Sequence, residues 1–243
     1  MIDFNISLAG IPIHISAGYE TSLRYCRDYI TSAAPKFSVD INQNDIEFER
    51  EKSEKEDKDK GLPPRQFADS YLETLAIYRK ISEKLPYYDT VLFHGAVVAV
   101  GNKSWMFTAP SGTGKTTHTG LWLKNIPGAY IVNGDKPLIK LTNGGAVACG
   151  TPWRGKEHYG RNVQVPLEGI VFLEQSAENG IKQVTLSDEL PSMLSQCYRP
   201  ADTGAFLKTL QLINSLAGCV KIYRMGCNME DEAALIAYEF VRQ

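Results

Sequence analysis

The chain has 243 residues, 43% of them hydrophobic and 22% charged, with a formal net charge of −2. That balance suits a globular protein with a substantial core, and it gives no global field toward nucleic acid or an anionic membrane surface. No apolar run reaches the roughly 18 residues a bilayer span requires, and five scattered cysteines without a C-x-x-C pair give neither a zinc site nor a disulfide framework.

The first segment, MIDFNISLAG, carries an early acid and no basic stretch, so no signal peptide is expected and a reducing cytoplasm is the simplest home. Residues 2–16 alternate apolar and polar around Gly10 and predict a hairpin. Residues 21–31 predict a short helix, and the alternation over 37–49 predicts two further strands. Twelve of the fourteen residues from Glu47 to Lys60 are charged, with mixed signs, which predicts a solvated, mobile loop. Over 65–85, Phe67, Tyr71, Leu75, Tyr78 and Ile81 fall at helical spacing and predict an apolar stripe facing a core. A boundary near Pro86 then separates a small α+β region, 1–86, from a second domain, 87–243.

The second domain alternates strands and helices. Strands are expected at 90–100, 104–108, 129–133, 165–174 and 220–225, with a hairpin formed by 138–142 and 146–149 around Asn143 and Gly144. Helices are expected at 115–124, 187–197, 201–217 (closed by Gly218 as a C-terminal cap) and 229–242. The class is therefore α/β with a mixed sheet.

The sharpest signal is APSGTGKTT, Ala109–Thr117, between a strand and a helix. Backbone N–H groups can converge on phosphate oxygens there, because Gly112 and Gly114 permit angles that a Cβ would block. The following helix N-terminus adds free donors and a favourable dipole. Lys115 supplies a point charge, and Thr116 a hydroxyl for a bridging Mg²⁺. Ser111, Thr113 and Thr117 complete the expected loop. The first position of the usual G-x-x-x-x-G-K-[ST] pattern is Ala109 here, which is tolerable if that residue keeps φ negative. Twenty residues after Lys115, Asp135 follows the apolar strand AYIVN. A carboxylate there can serve a metal or take the proton of an acceptor hydroxyl. The segment TPWRGKEHYGR gathers Arg154, Lys156, His158 and Arg161 on a glycine-containing loop. Arg154 and Lys156 are its better candidates for clamping a transferring phosphoryl group. Trp153 is left with two readings, stacking or packing.

FHGAVVAV, APSGTGKTT and IVNGDKPLIKL together resemble the C-terminal catalytic domain of HPr kinase/phosphorylase and, more distantly, the phosphate loop of phosphoenolpyruvate carboxykinase. GTPWRGKEHYGRNVQVPLEGIVFLEQ resembles the smaller HPr-kinase-like serine kinases. The resemblance covers residues 90–175, and the N-terminal residues do not look like the family's regulatory domain. It implies a phosphoenolpyruvate-carboxykinase-like P-loop fold, ATP or another phosphate donor with Mg²⁺, and transfer to a hydroxyl, typically of serine. By the same resemblance His94 is a site residue, Thr116 and Asp135 face the metal, and homo-oligomers are expected. Asp135 matches the second of two adjacent aspartates, and Gly134 replaces the first. No copy of the family's later arginine-rich signature is present, so the reverse reaction is not implied.

The expected activity is a nucleotide- and Mg²⁺-dependent kinase acting on a protein, peptide or small hydroxylated acceptor, with Asp135, Lys115, His94, Arg154 and Lys156 as catalytic candidates. The alternatives are a catalytically weak nucleotide-binding regulator or scaffold, a carboxykinase-like enzyme acting on a keto acid, and a nucleotide hydrolase. Asp135 standing alone disfavours the carboxykinase, and Gly134 favours the scaffold.

Overall fold

The computed structural model describes all 243 residues and divides them into two compact units, Met1–Lys84 and Leu85–Gln243. In the first, β1 (Ile2–Leu8) and β2 (Ile11–Ala17) form the expected antiparallel hairpin. A short helix, α1 (Glu20–Tyr25), follows, and β3 (Phe37–Asp40) then pairs parallel to β2.

The chain next departs from the pattern read in its sequence. No second strand follows β3, and the charged run 47–60 is not a loop. Both fall on one helix, α2 (Gln43–Asp59). Asn42 caps it by accepting from the N–H groups of Asn44 and Asp45, while the Asp45 carboxylate accepts from Asn42 N at 3.0 Å. Such a reciprocal box satisfies donors that a helix start otherwise leaves open. Glu, Lys and Arg are good helix formers, so a charged run with a cap and partners need not be disordered. The partners lie on α3 (Asp69–Lys84), where Arg79 donates to Glu49 at 2.5 Å and to Asp45 at 3.2 Å, and Lys80 to Asp45 at 2.6 Å. The apolar face of α3 is also turned from the expected one. Leu72, Ala76, Ile77 and Ile81 are buried, whereas Tyr71 is 44% exposed. Buried Glu73 on α3 takes hydrogen bonds from Gly18 N, Tyr19 N and Ser22 Oγ, tying α3 to the start of α1.

The second unit is a nine-stranded mixed sheet. The expected strand over 90–100 is broken into β4 (Thr90–Leu92) and β5 (Ala96–Val100). A hairpin leads from β5 into β6 (Lys103–Thr108), which is followed by α4 (Lys115–Asn125) and β7 (Ala129–Asn133). β8 (Leu138–Thr142) and β9 (Gly145–Cys149) are the predicted second hairpin. The long β10 (Gln164–Gln175) pairs antiparallel to β9 at its start and parallel to β6 thereafter. β11 (Gly180–Val184) was not read in the sequence. It precedes α5 (Leu186–Gln196), α6 (Thr203–Cys219), β12 (Lys221–Cys227) and α7 (Asp231–Val241). Gly218 lies inside α6 rather than capping it, because Val220 ends that helix in extended conformation.

Helices cover both faces of the sheet. Met193 of α5 and Leu212, Ile213 and Leu216 of α6 pack with Val97, Met106 and Ile170 on one side. Trp122 of α4 and Ala233, Ala234 and Ala237 of α7 pack with Trp105, Phe107 and Val171 on the other. No helix is long and apolar enough to cross a membrane.

Candidate active site

β6 delivers the chain to the loop 109–114 at its carboxyl end, and α4 begins at once with Lys115. Gly112 and Gly114 take φ values of +83° and +112°, the left-handed region that a side chain disfavours. Ala109 is not among the residues of positive φ, so the sequence condition on that position is met. The start of α4 has neither a capping side chain nor an acid in its first turn. By contrast, Asn42, Thr185 and Asp202 cap α2, α5 and α6. Open donors at a helix start with an aligned dipole form an anion site. Lys115 curls back over the loop and donates to Ala109 O at 2.7 Å and Pro110 O at 3.2 Å. Burial holds its pKa below the ordinary lysine value.

β7 pairs antiparallel to β5, as does β6, so β6 and β7 run in the same direction and end at the same edge. Buried Asn133 at the end of β7 fixes the turn that follows. Its Oδ1 accepts from Asp135 N at 2.9 Å and Lys136 N at 2.7 Å, while its Nδ2 donates to Thr151 O and Oγ1. Asp135 O accepts from Gly95 N at 2.9 Å. The Asp135 carboxylate then lies 3.0 Å from Lys136 Nζ and 3.5 Å from His94 Nε2, both measured to Oδ1.

His94 sits in the break between β4 and β5, not within a strand as expected. Its N–H donates to Gln196 O at 2.7 Å, and its carbonyl accepts from Thr108 Oγ1 at 2.8 Å. Nδ1 lies 2.9 Å from Gln196 Oε1, and Gln196 Nε2 donates to Ser195 Oγ. An amide oxygen only accepts, so Nδ1 carries the proton there. Burial, then the charges of Lys136 and Lys115, lower the His94 pKa to about 4, although Asp135 and Gln196 act the other way. The neutral ring turns the lone pair of Nε2 toward Asp135 Oδ1. Two acceptors 3.5 Å apart make a place for a proton-bearing group.

The third wall is the segment 150–161. It is fixed to the end of β7 by Gly134 N donating to Tyr159 O at 2.9 Å and Arg161 N donating to Val132 O at 3.0 Å. Gly155, at φ +74°, sits so close to Asp135 that a Cβ there would meet Asp135 Cβ at 2.9 Å. Gly134 is confined as well: a Cβ would meet Tyr159 O at 3.2 Å and Arg154 O at 3.3 Å. The main chain of this segment therefore occupies the space beside position 134.

These walls enclose a cavity of about 480 Å³. Of the residues expected from sequence, His94, Ser111, Gly112, Gly114, Lys115, Thr116, Thr117, Asp135, Arg154 and Lys156 line it together. Thr113 does not, because its hydroxyl turns back to Pro110 O at 2.9 Å. Arg161 lies over the Tyr130 ring, Trp153 is buried, and buried His118 accepts a hydrogen bond from Trp122 Nε1. Sequence reasoning passed over Glu157 and Tyr159, which line the cavity, and Lys136 and Gln196, which hold Asp135 and His94. Glu157 and Lys136 stand next to flagged residues, and that adjacency was the available signal. Gln196 lies 102 positions from His94, and nothing in the sequence marks it.

No group of three or more His, Cys, Asp or Glu side chains converges as a metal cage. Thr116 and Asp135 nevertheless offer hard oxygen donors beside the loop 109–114. That sparse set fits Mg²⁺, which protein sites commonly bind through one or two carboxylates and substrate phosphates while it keeps its waters.

No protein-family model matches the chain, and no curated protein sequence does. Among solved structures it is similar to the structure of the HPr(Ser) kinase/phosphatase from Coxiella burnetii. The TM-score is 0.38 and the identity 10%, over 62% of this chain and 93% of that one. A likeness that loose says nothing of activity.

Proposed function

We propose that this protein is a nucleotide- and Mg²⁺-dependent kinase that transfers a phosphoryl group to a hydroxyl, within a phosphoenolpyruvate-carboxykinase-like P-loop fold. The observation that carries the proposal is one cavity holding an open helix N-terminus, Lys115, Thr116 and the carboxylate of Asp135. ATP is the proposed donor. The acceptor is a serine of a protein or peptide, or a small hydroxylated molecule, and the proposed setting is a cytoplasmic homo-oligomer.

The amides of 112–116 bind the phosphates, and Lys115 leaves the carbonyls of Ala109 and Pro110 for the β- and γ-oxygens. Thr116, with Asp135 as a further donor, would hold Mg²⁺, which would offset the charge of the phosphate oxygens. An acceptor O–H placed between His94 Nε2 and Asp135 meets two acceptors and is oriented by them. Its oxygen bonds to the γ-phosphorus and its proton passes to the Asp135 carboxylate. The bond from that phosphorus to the bridging oxygen breaks, and ADP leaves with the electron pair. Arg154 and Lys156 offset the charge that spreads over the transferring group.

A second reading, a nucleotide-binding scaffold, is favoured by Gly134, which leaves Asp135 without an adjacent carboxylate. Incubating the protein with γ-labelled ATP, Mg²⁺ and a cell extract separates the two. The kinase labels an acceptor, and Lys115→Ala abolishes the label. Binding of ATP without label transfer, or with release of inorganic phosphate alone, would rule the kinase out.

A further inference from the structure

A side chain at position 134 would crowd the carbonyls of Arg154 and Tyr159, which its Cβ would meet at 3.3 and 3.2 Å, so a second carboxylate is poorly accommodated there. The segment that fills that space brings an acid of its own. His158 N donates to Gly155 O at 3.3 Å, closing a turn with Lys156 and Glu157 at its two corner positions. The turn is built with care. Gly155 and His158 both take positive φ, +74° and +53°, and the latter is uncommon for a residue with a side chain. The segment is bonded to the end of β7 at its far end, by Gly134 N donating to Tyr159 O and Arg161 N donating to Val132 O, and at its start by Asn133 Nδ2 donating to Thr151. The result is that Glu157 lines the same cavity as Lys115, Thr116 and Asp135.

The two acids are not equivalent. Asp135 Oδ1 is already engaged by Lys136 at 3.0 Å and faces His94 at 3.5 Å. Its place beside His94 Nε2 suits it to orienting a hydroxyl seated there. A lysine in contact with a carboxylate also weakens its attraction for a divalent cation. Glu157 has no ion pair in the chain and is exposed to the cavity.

We infer that Glu157 is the second carboxylate of the site, holding Mg²⁺ with Thr116 on the nucleotide phosphates and leaving Asp135 to the acceptor hydroxyl. The inference rests on the kinase reading and divides its labour between two acids from different segments. In the free cavity Glu157 repels phosphate, whereas with Mg²⁺ bound it attracts the complex, so its removal has opposite effects on the two forms of ATP.

The test is calorimetric binding of ATP in EDTA and in Mg²⁺, for the wild type, Glu157→Gln and Asp135→Asn, with the Mn²⁺–ATP electron paramagnetic resonance spectrum as a second readout. The substitution at 157 is isosteric and exposed, and an unchanged melting temperature will show that the fold is kept. Glu157→Gln is expected to bind ATP equally or more tightly in EDTA, to lose about tenfold in affinity in Mg²⁺, and to alter the Mn²⁺ spectrum. Asp135→Asn is expected to keep most of the Mg²⁺-dependent gain. If Glu157→Gln retains the full gain and an unaltered spectrum, Glu157 is not the metal-facing acid. If the wild type itself gains nothing from Mg²⁺, the kinase reading fails with it.

Discussion

The two units hold their charges differently: ion pairs tie elements in both, Arg224–Glu189 and Lys124–Asp231 among them in the second, but the second also keeps a group of charges apart from such pairs. In Met1–Lys84 the acids and bases of α2, α3 and the segment between them neutralise one another: Arg79 joins Asp45 and Glu49, Lys80 joins Asp45, Arg50 joins Asp69, and Arg65, between the helices, joins buried Asp57. In Leu85–Gln243 the charges that matter line a cavity. Lys115 rests on two main-chain carbonyls rather than on an acid, and Glu157 has no cationic partner. A cation that ends on another residue's carboxylate is scaffolding. A cation held only by carbonyls beside an open helix terminus keeps its charge for a ligand. The difference explains why charge density is a poor guide to function here, since the most highly charged stretch of the chain is its α2 helix.

The sharpest way to break this contrast is to remove one charge from each kind of cluster. Asp135→Asn should lower phosphoryl transfer by about 10²- to 10⁴-fold, the range for loss of a positioned general base, while ATP affinity changes only several-fold. Steady-state transfer and equilibrium binding measured on one preparation check both halves. Arg79→Ala should do the reverse. It leaves Glu49, 4% exposed, without its partner and should cost the first unit about 3 kcal/mol, while ATP affinity stays within about twofold. Denaturant unfolding followed by circular dichroism reads the loss.

Acid should loosen the second unit through His118. Burial lowers its pKa to about 4, below the ordinary histidine value of 6.5. The unfolded chain therefore binds the proton more readily. The stability contributed by the neutral ring is complete above pH 6.5 and is lost as pH falls toward 4. By pH 4.5 the loss should reach about 2–3 kcal/mol. All three tryptophans, Trp105, Trp122 and Trp153, lie in this unit, so their fluorescence reports its unfolding. His94, its pKa also lowered to about 4, contributes a loss of its own, so His118→Gln should flatten only part of the dependence. The smallest effect concerns Gly134→Asp, which restores the paired acids of the resembled family. Against the carbonyls of Arg154 and Tyr159 the new side chain should cost about 1–3 kcal/mol and reduce transfer instead of raising it.

What could be read from the sequence followed from local rules. The strand–loop–helix at 103–125 needs only its glycines, its lysine and the apolar strand before it, and the hairpins at 2–17 and 138–149 need only alternation and a turn. What escaped reading depends on contacts distant in sequence. The charged run became a helix because α3 supplies partners about 30 residues away. The strand over 90–100 broke at His94 because Gln196 and Asp135 take the N–H groups of His94 and Gly95 that a continuous ladder would have used. Glu157 was passed over because only the folded segment, returning to the end of β7, brings it round to the cavity beside Lys115.

One measurement tests the central claim most directly: a crystal structure of the protein grown with Mg²⁺ and a non-hydrolysable ATP analogue. The account predicts the triphosphate ringed by the amides of 112–116, Lys115 Nζ moved from Ala109 O onto a phosphate oxygen, and a carboxyl group facing the metal from across the cavity. An analogue bound elsewhere, or a loop that stays closed on Lys115 at saturating analogue, would contradict it.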